Sequence, residues 1–121
     1  MTNVKVHHEA RPVEAEHSVI YSMVGDFFGC FGRPTVARRT NGDLVVAASG
    51  FRHDHIDPFG RTVLLRSYDE GKSWTTPQVI NDLPIDDRDA GIVDIGGGRM
   101  LASWFTSDTT RYPIADDYQE L

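Results

Sequence analysis

Apolar and polar residues follow a two-residue rhythm in two stretches of the chain, and helical periodicity is weak throughout. Thr35 to Gly50 reads TVARRTNGDLVVAASG, and Gly91 to Thr106 reads GIVDIGGGRMLASWFT. Laid together without gaps, they pair Val36 with Ile92, Gly42 with Gly98, Leu44 with Met100, Val45 with Leu101 and Ala48 with Trp104, at an offset of 56 residues. Each copy is predicted to form a β-hairpin, because Asn41-Gly42 and Gly96-Gly97-Gly98 supply the positive φ angles that two-residue hairpin turns demand. After the first hairpin come a loop, Phe51 to Arg61, a strand at Thr62 to Arg66, a turn, and a strand at Gln78 to Ile80. The pattern then restarts near Asp89. Four short antiparallel strands per repeat describe a propeller blade, although two glycine-turned hairpins would also suit a β-sandwich. The acidic tail Ile114 to Leu121 is the one stretch that reads as helical, so the fold class expected is all-β.

Composition narrows the chemistry. At 121 residues the chain supports one core and not two. Its 40% hydrophobic and 25% charged residues are ordinary for a globular chain. Its apolar runs are far shorter than the roughly 20 residues of a membrane-spanning helix. The polar first residues, Met1 to Ala10, carry no secretory signal, so a cytoplasmic location is the default expectation. A formal charge of −6 without a basic run argues against nucleic acid and anionic membranes as partners. The single cysteine, Cys30, excludes an intramolecular disulfide and is expected to pack as a small apolar residue. No cofactor is implied.

The segment Ser67 to Trp74 has the form S-x-D-x-G-x-S-W. Each fixed residue type has a mechanical task there. Asp69 can accept hydrogen bonds from backbone N–H groups across a turn, Gly71 can take a left-handed conformation, and Trp74 can cover the hairpin base with a large apolar face. Ser67, Asp69, Gly71 and Trp74 are therefore read as a fold-stabilising turn and not as an active site.

This segment resembles the Asp-box (BNR repeat) of the sialidase, or neuraminidase, superfamily, whose members are six-bladed β-propeller hydrolases. Arg33-Pro34 is similar to that family's Arg-Ile-Pro signature, without the isoleucine, and the resemblance gives Arg33 a place in the clamp on the sugar carboxylate. An arginine fork suits that task through two charge-assisted hydrogen bonds. The resemblance also implies that Arg52 binds substrate and that Asp57 is the acid/base, protonating the leaving oxygen and later deprotonating water. Asp89 falls at the position equivalent to Arg33 in the second repeat and is a candidate for substrate hydroxyls; the alternative is a solvated acidic turn at Asp86 to Asp89. The family's tyrosine nucleophile, its glutamate and two further arginines lie late in the chain, and neither Tyr112 nor Tyr118 is given that role.

A six-bladed ring at about 50 residues per blade needs roughly 300 residues. The chain is accordingly expected to be about two blades of a longer propeller, incomplete and inactive alone. Residues 1–30 would be an arm and closing strand, 31–84 the first Asp-box blade, and 85–121 the start of the next, with the missing blades supplied by a parent chain or by self-association. The activity implied is that of a sialidase-like glycoside hydrolase releasing a terminal acidic sugar, with glycan as partner. Two rival readings share these residues. A non-catalytic glycan-binding propeller, or a glycosidase or lyase of another kind, suits the histidines beside Asp57, which could abstract a proton. A metal site could form from His53, His55 and Asp57, which would share one side of an extended segment.

Overall fold

The computed structural model describes residues 11–109 and is all-β, with no helix among the described residues. Six strands follow in order: β1 (Cys30–Arg38), β2 (Leu44–Arg52), β3 (Arg61–Ser67), β4 (Gln78–Asn81), β5 (Asp86–Gly96) and β6 (Arg99–Ser107). They form a four-stranded antiparallel sheet, β1-β2-β3-β4, and a separate antiparallel hairpin, β5-β6. No helix among the described residues is long and apolar enough to cross a membrane.

Both predicted hairpins are present, and their turns differ. Gly96 pairs with Arg99 around Gly97-Gly98, whose φ angles of 62° and 73° make the expected two-residue turn. In the first hairpin Arg39 N donates to Asp43 O at 2.8 Å and Gly42 N to Arg39 O at 2.9 Å, with Gly42 alone at positive φ. The first turn is thus a three-residue loop closed by a left-handed glycine, one residue longer than the Asn-Gly pair suggested.

β2 is the centre of the structure because both of its faces are covered. Val46 and Ala48 pack with Val63 and Leu65 of β3, and Ile20, Tyr21, Phe31, Phe51 and Trp74 close over them. On the opposite face Val45 and Ala47 are fully buried, and Ser49 on that side accepts a hydrogen bond from Asp89 N of β5 at 2.9 Å. A strand buried on both faces reads as a continuous apolar run, here Leu44 to Ala48, and not as strict alternation.

Several boundaries and environments differ from expectation. β1 begins at Cys30 and β5 at Asp86, both upstream of the repeat starts, because pairing continues past bulges to the strand ends. Residues 11–29 contain turns but no strand, so no closing strand lies among them. Cys30 is exposed at the start of β1. The apolar role goes to its neighbour Phe31, which packs against the core cluster. Asp86, Asp87 and Arg88 are buried in β5 and not in a solvated turn. The tail 114–121, Tyr112, Tyr118, His7 and His8 lie outside the described residues.

Candidate functional site

β3 separates two polar constructions. At its end sits the turn 67–74, and at its start sits the loop 51–60. At about 3.3 Å per residue the seven-residue strand holds them roughly 20 Å apart.

The turn is closed by its own side chains. Asp69 accepts from Ser73 N at 2.9 Å, from the Ser73 hydroxyl at 2.5 Å and from the Ser67 hydroxyl at 2.8 Å. The Ser67 hydroxyl in turn accepts from Gly71 N at 2.8 Å. Gly71 adopts φ 82°, and Trp74 Nε1 donates to Gly71 O at 3.2 Å while its ring packs on the core cluster. The hydroxyl of Ser73, followed by its N–H and the hydroxyl of Ser67, holds the Asp69 carboxyl down at about 2. Every polar atom named here is engaged within the turn, which leaves no arrangement for attack on a substrate.

The loop 51–60 is organised from below by buried charge. Arg52, 4% exposed, donates Nε to Asp54 O and Nη2 to His55 O, each at 3.1 Å, and pairs with the fully buried Asp86 of β5. Asp86 also faces Arg88 Nη1 at 3.5 Å and accepts from Asp57 N at 3.3 Å. Gly60 lies directly over this group: a Cβ there would stand 2.4 Å from Asp86 Oδ1. Asp57 is fully buried, and its carboxylate accepts from the backbone N–H of His53 and, at 2.7 Å, of Phe59. The structure therefore places Arg52 and Asp57 beneath the surface, where they hold the loop in shape.

The two histidines diverge. The His53 ring stacks on Phe27, with centroids 4.0 Å apart and planes 8° apart, and Nδ1 donates to Phe27 O at 3.0 Å. His55 instead accepts from Arg88 Nη2, with its Nε2 at 3.0 Å. The loop is bent, not extended, so His53, His55 and Asp57 do not share a side. Among the described residues no group of three metal-ligating side chains comes together, and the metal reading is set aside.

Arg33 and Asp89 meet across the seam between the sheet and the β5–β6 hairpin, with Arg33 Nε 3.0 Å from Asp89 Oδ1. Both lie where their strand ladders slip register, at φ 49° and 56°. Beside them a small pocket of about 50 Å³ is lined by Arg33, Arg52, His55, Arg88 and Asp89, with Ser49 at its side. A wider, open hollow of about 380 Å³ shares Arg33 and Asp89 with it and is lined also by Pro34, Thr35 and Ala90. Of the residues expected at a site, Arg33 and Asp89 come together at the surface, Arg52 reaches the pocket from behind, and Asp57 does not line it.

Asp86, Asp87 and Arg88 escaped the reading of the sequence as site-builders. Asp87 accepts from Leu83 N at 2.8 Å and from the Thr106 hydroxyl at 2.7 Å, tying β5 to the connection that precedes it and to β6. The signal available was the run Asp-Asp-Arg-Asp itself, since four consecutive charges entering a strand must be paired when that strand is buried. Comparison of the chain with family models, with curated proteins and with solved structures finds no match.

Proposed function

We propose that this chain contributes about two blades, one four-stranded and a second begun by the β5–β6 hairpin, to a sialidase-type β-propeller glycosidase, and that it recognises a terminal acidic sugar where Arg33 and Asp89 meet. The observation that carries the reading is a four-stranded antiparallel meander with the self-closed S-x-D-x-G-x-S-W turn at one end of β3 and an arginine-lined pocket at the other. Arg33 supplies recognition: more than half of its side chain is exposed, and its planar fork suits a carboxylate. Arg52 holds the loop 51–60 through Asp86 and stands behind the pocket. Asp57 is the acid/base in this reading, which requires the loop to present its carboxyl to the leaving oxygen. Asp89 faces the sugar from the second hairpin.

A second reading, a propeller that binds glycans without cleaving them, is favoured by one observation: Asp57 is buried and its carboxylate is capped by two backbone N–H groups. Hydrolysis of an aryl sialoside and of a sialyl-lactose, by the protein carrying this chain and by its Asp57→Ala variant, separates the two. An acid/base at Asp57 predicts measurable wild-type turnover and a loss of about 10² or more on the sialyl-lactose, with a much smaller loss on the activated aryl substrate. Equal losses on both would remove Asp57 from that role. Binding of sialyl-lactose without any turnover would establish the second reading.

A further inference from the structure

Arg33 and Asp89 occupy the same position of the two repeats, and each takes a left-handed backbone conformation where its ladder slips. Non-glycine residues held there are strained and persist when the surrounding structure requires them. Here the two distortions turn an arginine and an aspartate toward one another across the seam.

A third side chain converges on the same oxygen. Arg88 Nε lies 3.9 Å from Asp89 Oδ1. The Arg88 side chain is only 9% exposed and is held by Asp86, by His55 and by the Phe105 ring, whose centroid lies 5.7 Å from its guanidinium carbon. Despite these approaches, Arg88 Nε and Asp89 Oδ1 are buried atoms that form no hydrogen bond with any described residue. The 3.0 Å approach of Arg33 to that oxygen is an ion pair without hydrogen-bond alignment. A donor and an acceptor in this state forgo hydrogen bonds that a better-aligned partner would supply. Asp89 thus balances charge at this spot while fitting its partners poorly. Of the charged groups lining the small pocket, three are guanidinium groups and one is a carboxylate, Asp89.

We infer that Asp89 is an internal carboxylate seated in a two-arginine anion site, and that the carboxylate of an acidic ligand binds Arg33 and Arg88 by displacing it. The volumes agree with this division. About 50 Å³ accommodates a carboxylate but not a sugar ring, and the open hollow of about 380 Å³, which shares Arg33 and Asp89 with the pocket, takes the remainder of the ligand. Arg88 is then a binding residue and Asp89 a competitor, not a hydroxyl acceptor. The natural ligand being a sugar acid rests on the proposal above; the anion site itself does not.

Titration of the arginine Nε–H signals by NMR tests the inference, with acetate, N-acetylneuraminic acid and the methyl ester of the latter as probes. Asp89→Asn removes the competing charge and keeps a residue type that tolerates the left-handed conformation, so both acids are expected to bind about tenfold more tightly, or about 1.4 kcal/mol. Arg88→Gln is expected to weaken both acids about tenfold, with Arg33→Gln, at an exposed position, as the substitute should Arg88→Gln fail to fold. Binding of the uncharged ester should be the same in all variants. Weaker binding of the acids by Asp89→Asn, or unchanged binding by the arginine variants, would overturn the inference. If acetate responds as expected while N-acetylneuraminic acid binds no better than acetate, the anion site stands and the sugar reading falls. If the sugar acid binds well and Asp89→Asn weakens it, the sugar reading stands and the displaced-carboxylate inference falls.

Discussion

The hairpins β1–β2 and β5–β6 share one sequence pattern, but their second strands, β2 and β6, meet opposite surroundings. β2 is buried along nearly its whole length, whereas β6 is exposed at Leu101, Trp104 and Phe105 and β5 at Val93 and Ile95. The difference lies in neighbours, not in composition: β2 has β1 and β3 at its sides and apolar residues over one face, while the second hairpin has no third strand among the described residues. Equivalent residues can therefore carry very different energetic weight. The same holds for charge. Arg33 and Asp89 are equivalent positions at a half-open seam, but Asp86, three residues before Asp89, is fully buried between two arginines.

The sharpest way to break this comparison is at Asp86. Asp86→Ala leaves the buried guanidinium groups of Arg52 and Arg88 without their carboxylate, and a loss of about 3–5 kcal/mol is expected in urea unfolding. Asp89→Asn, at a side chain 31% exposed, should change stability by about 1 kcal/mol or less. Similar losses for the two would show that the ion pairs do not differ in burial as described. Among apolar residues, Leu65→Ala, at 2% exposure, should lose about 2–5 kcal/mol, and Leu101→Ala, at 58%, should fall within about 0.5 kcal/mol of the parent. A large effect at Leu101 would mean that something covers the second hairpin in solution.

The two hairpins, their glycines and the turn 67–74 were legible in the sequence because local rules govern them: alternation, positive φ at glycine, and side chains reaching their own turn. The 56-residue offset made Asp89 the equivalent of Arg33 in the second repeat, though not its partner. What stayed hidden depends on contacts between distant segments. Arg52 finds Asp86 across 34 residues, and Arg88 finds His55 across 33. No local pattern fixes such pairings. Asp57 illustrates the limit best. Its place in the loop was visible, but that its carboxylate would cap the backbone N–H groups of His53 and Phe59 depends on how the loop bends over Gly60 and the Arg52–Asp86 pair. The same bend disperses the histidines that looked like metal ligands.

Smaller effects sharpen the contrast at the turn. Asp69 is held at about 2 against an ordinary 3.8, so its ionised form favours the folded state above about pH 3.8, and that contribution disappears as the pH falls toward 2. Asp69→Asn should flatten the acid limb of the stability profile over this interval, and the Asp69 carboxyl signal in NMR should titrate near 2; titration at the ordinary value would show that the hydrogen bonds of Ser73 and Ser67 are not maintained in solution. The smallest change is expected at Glu70→Gln. Arg38 Nη1 and Nη2 donate to Glu70 at 2.7 and 2.9 Å, raising the arginine and lowering the glutamate, but both groups are open to solvent. The thermal midpoint of Glu70→Gln should match that of the parent, and a clear drop would assign this pair more weight than exposed ion pairs carry.

The most direct measurement is a crystal structure of the protein bound to N-acetylneuraminic acid. The account predicts the ligand carboxylate between Arg33 and Arg88, Asp89 turned away from Arg33 Nε, and the sugar ring over Pro34 and Thr35. An acid bound elsewhere on the molecule, or one bound at the seam with Asp89 still on Arg33, would contradict it.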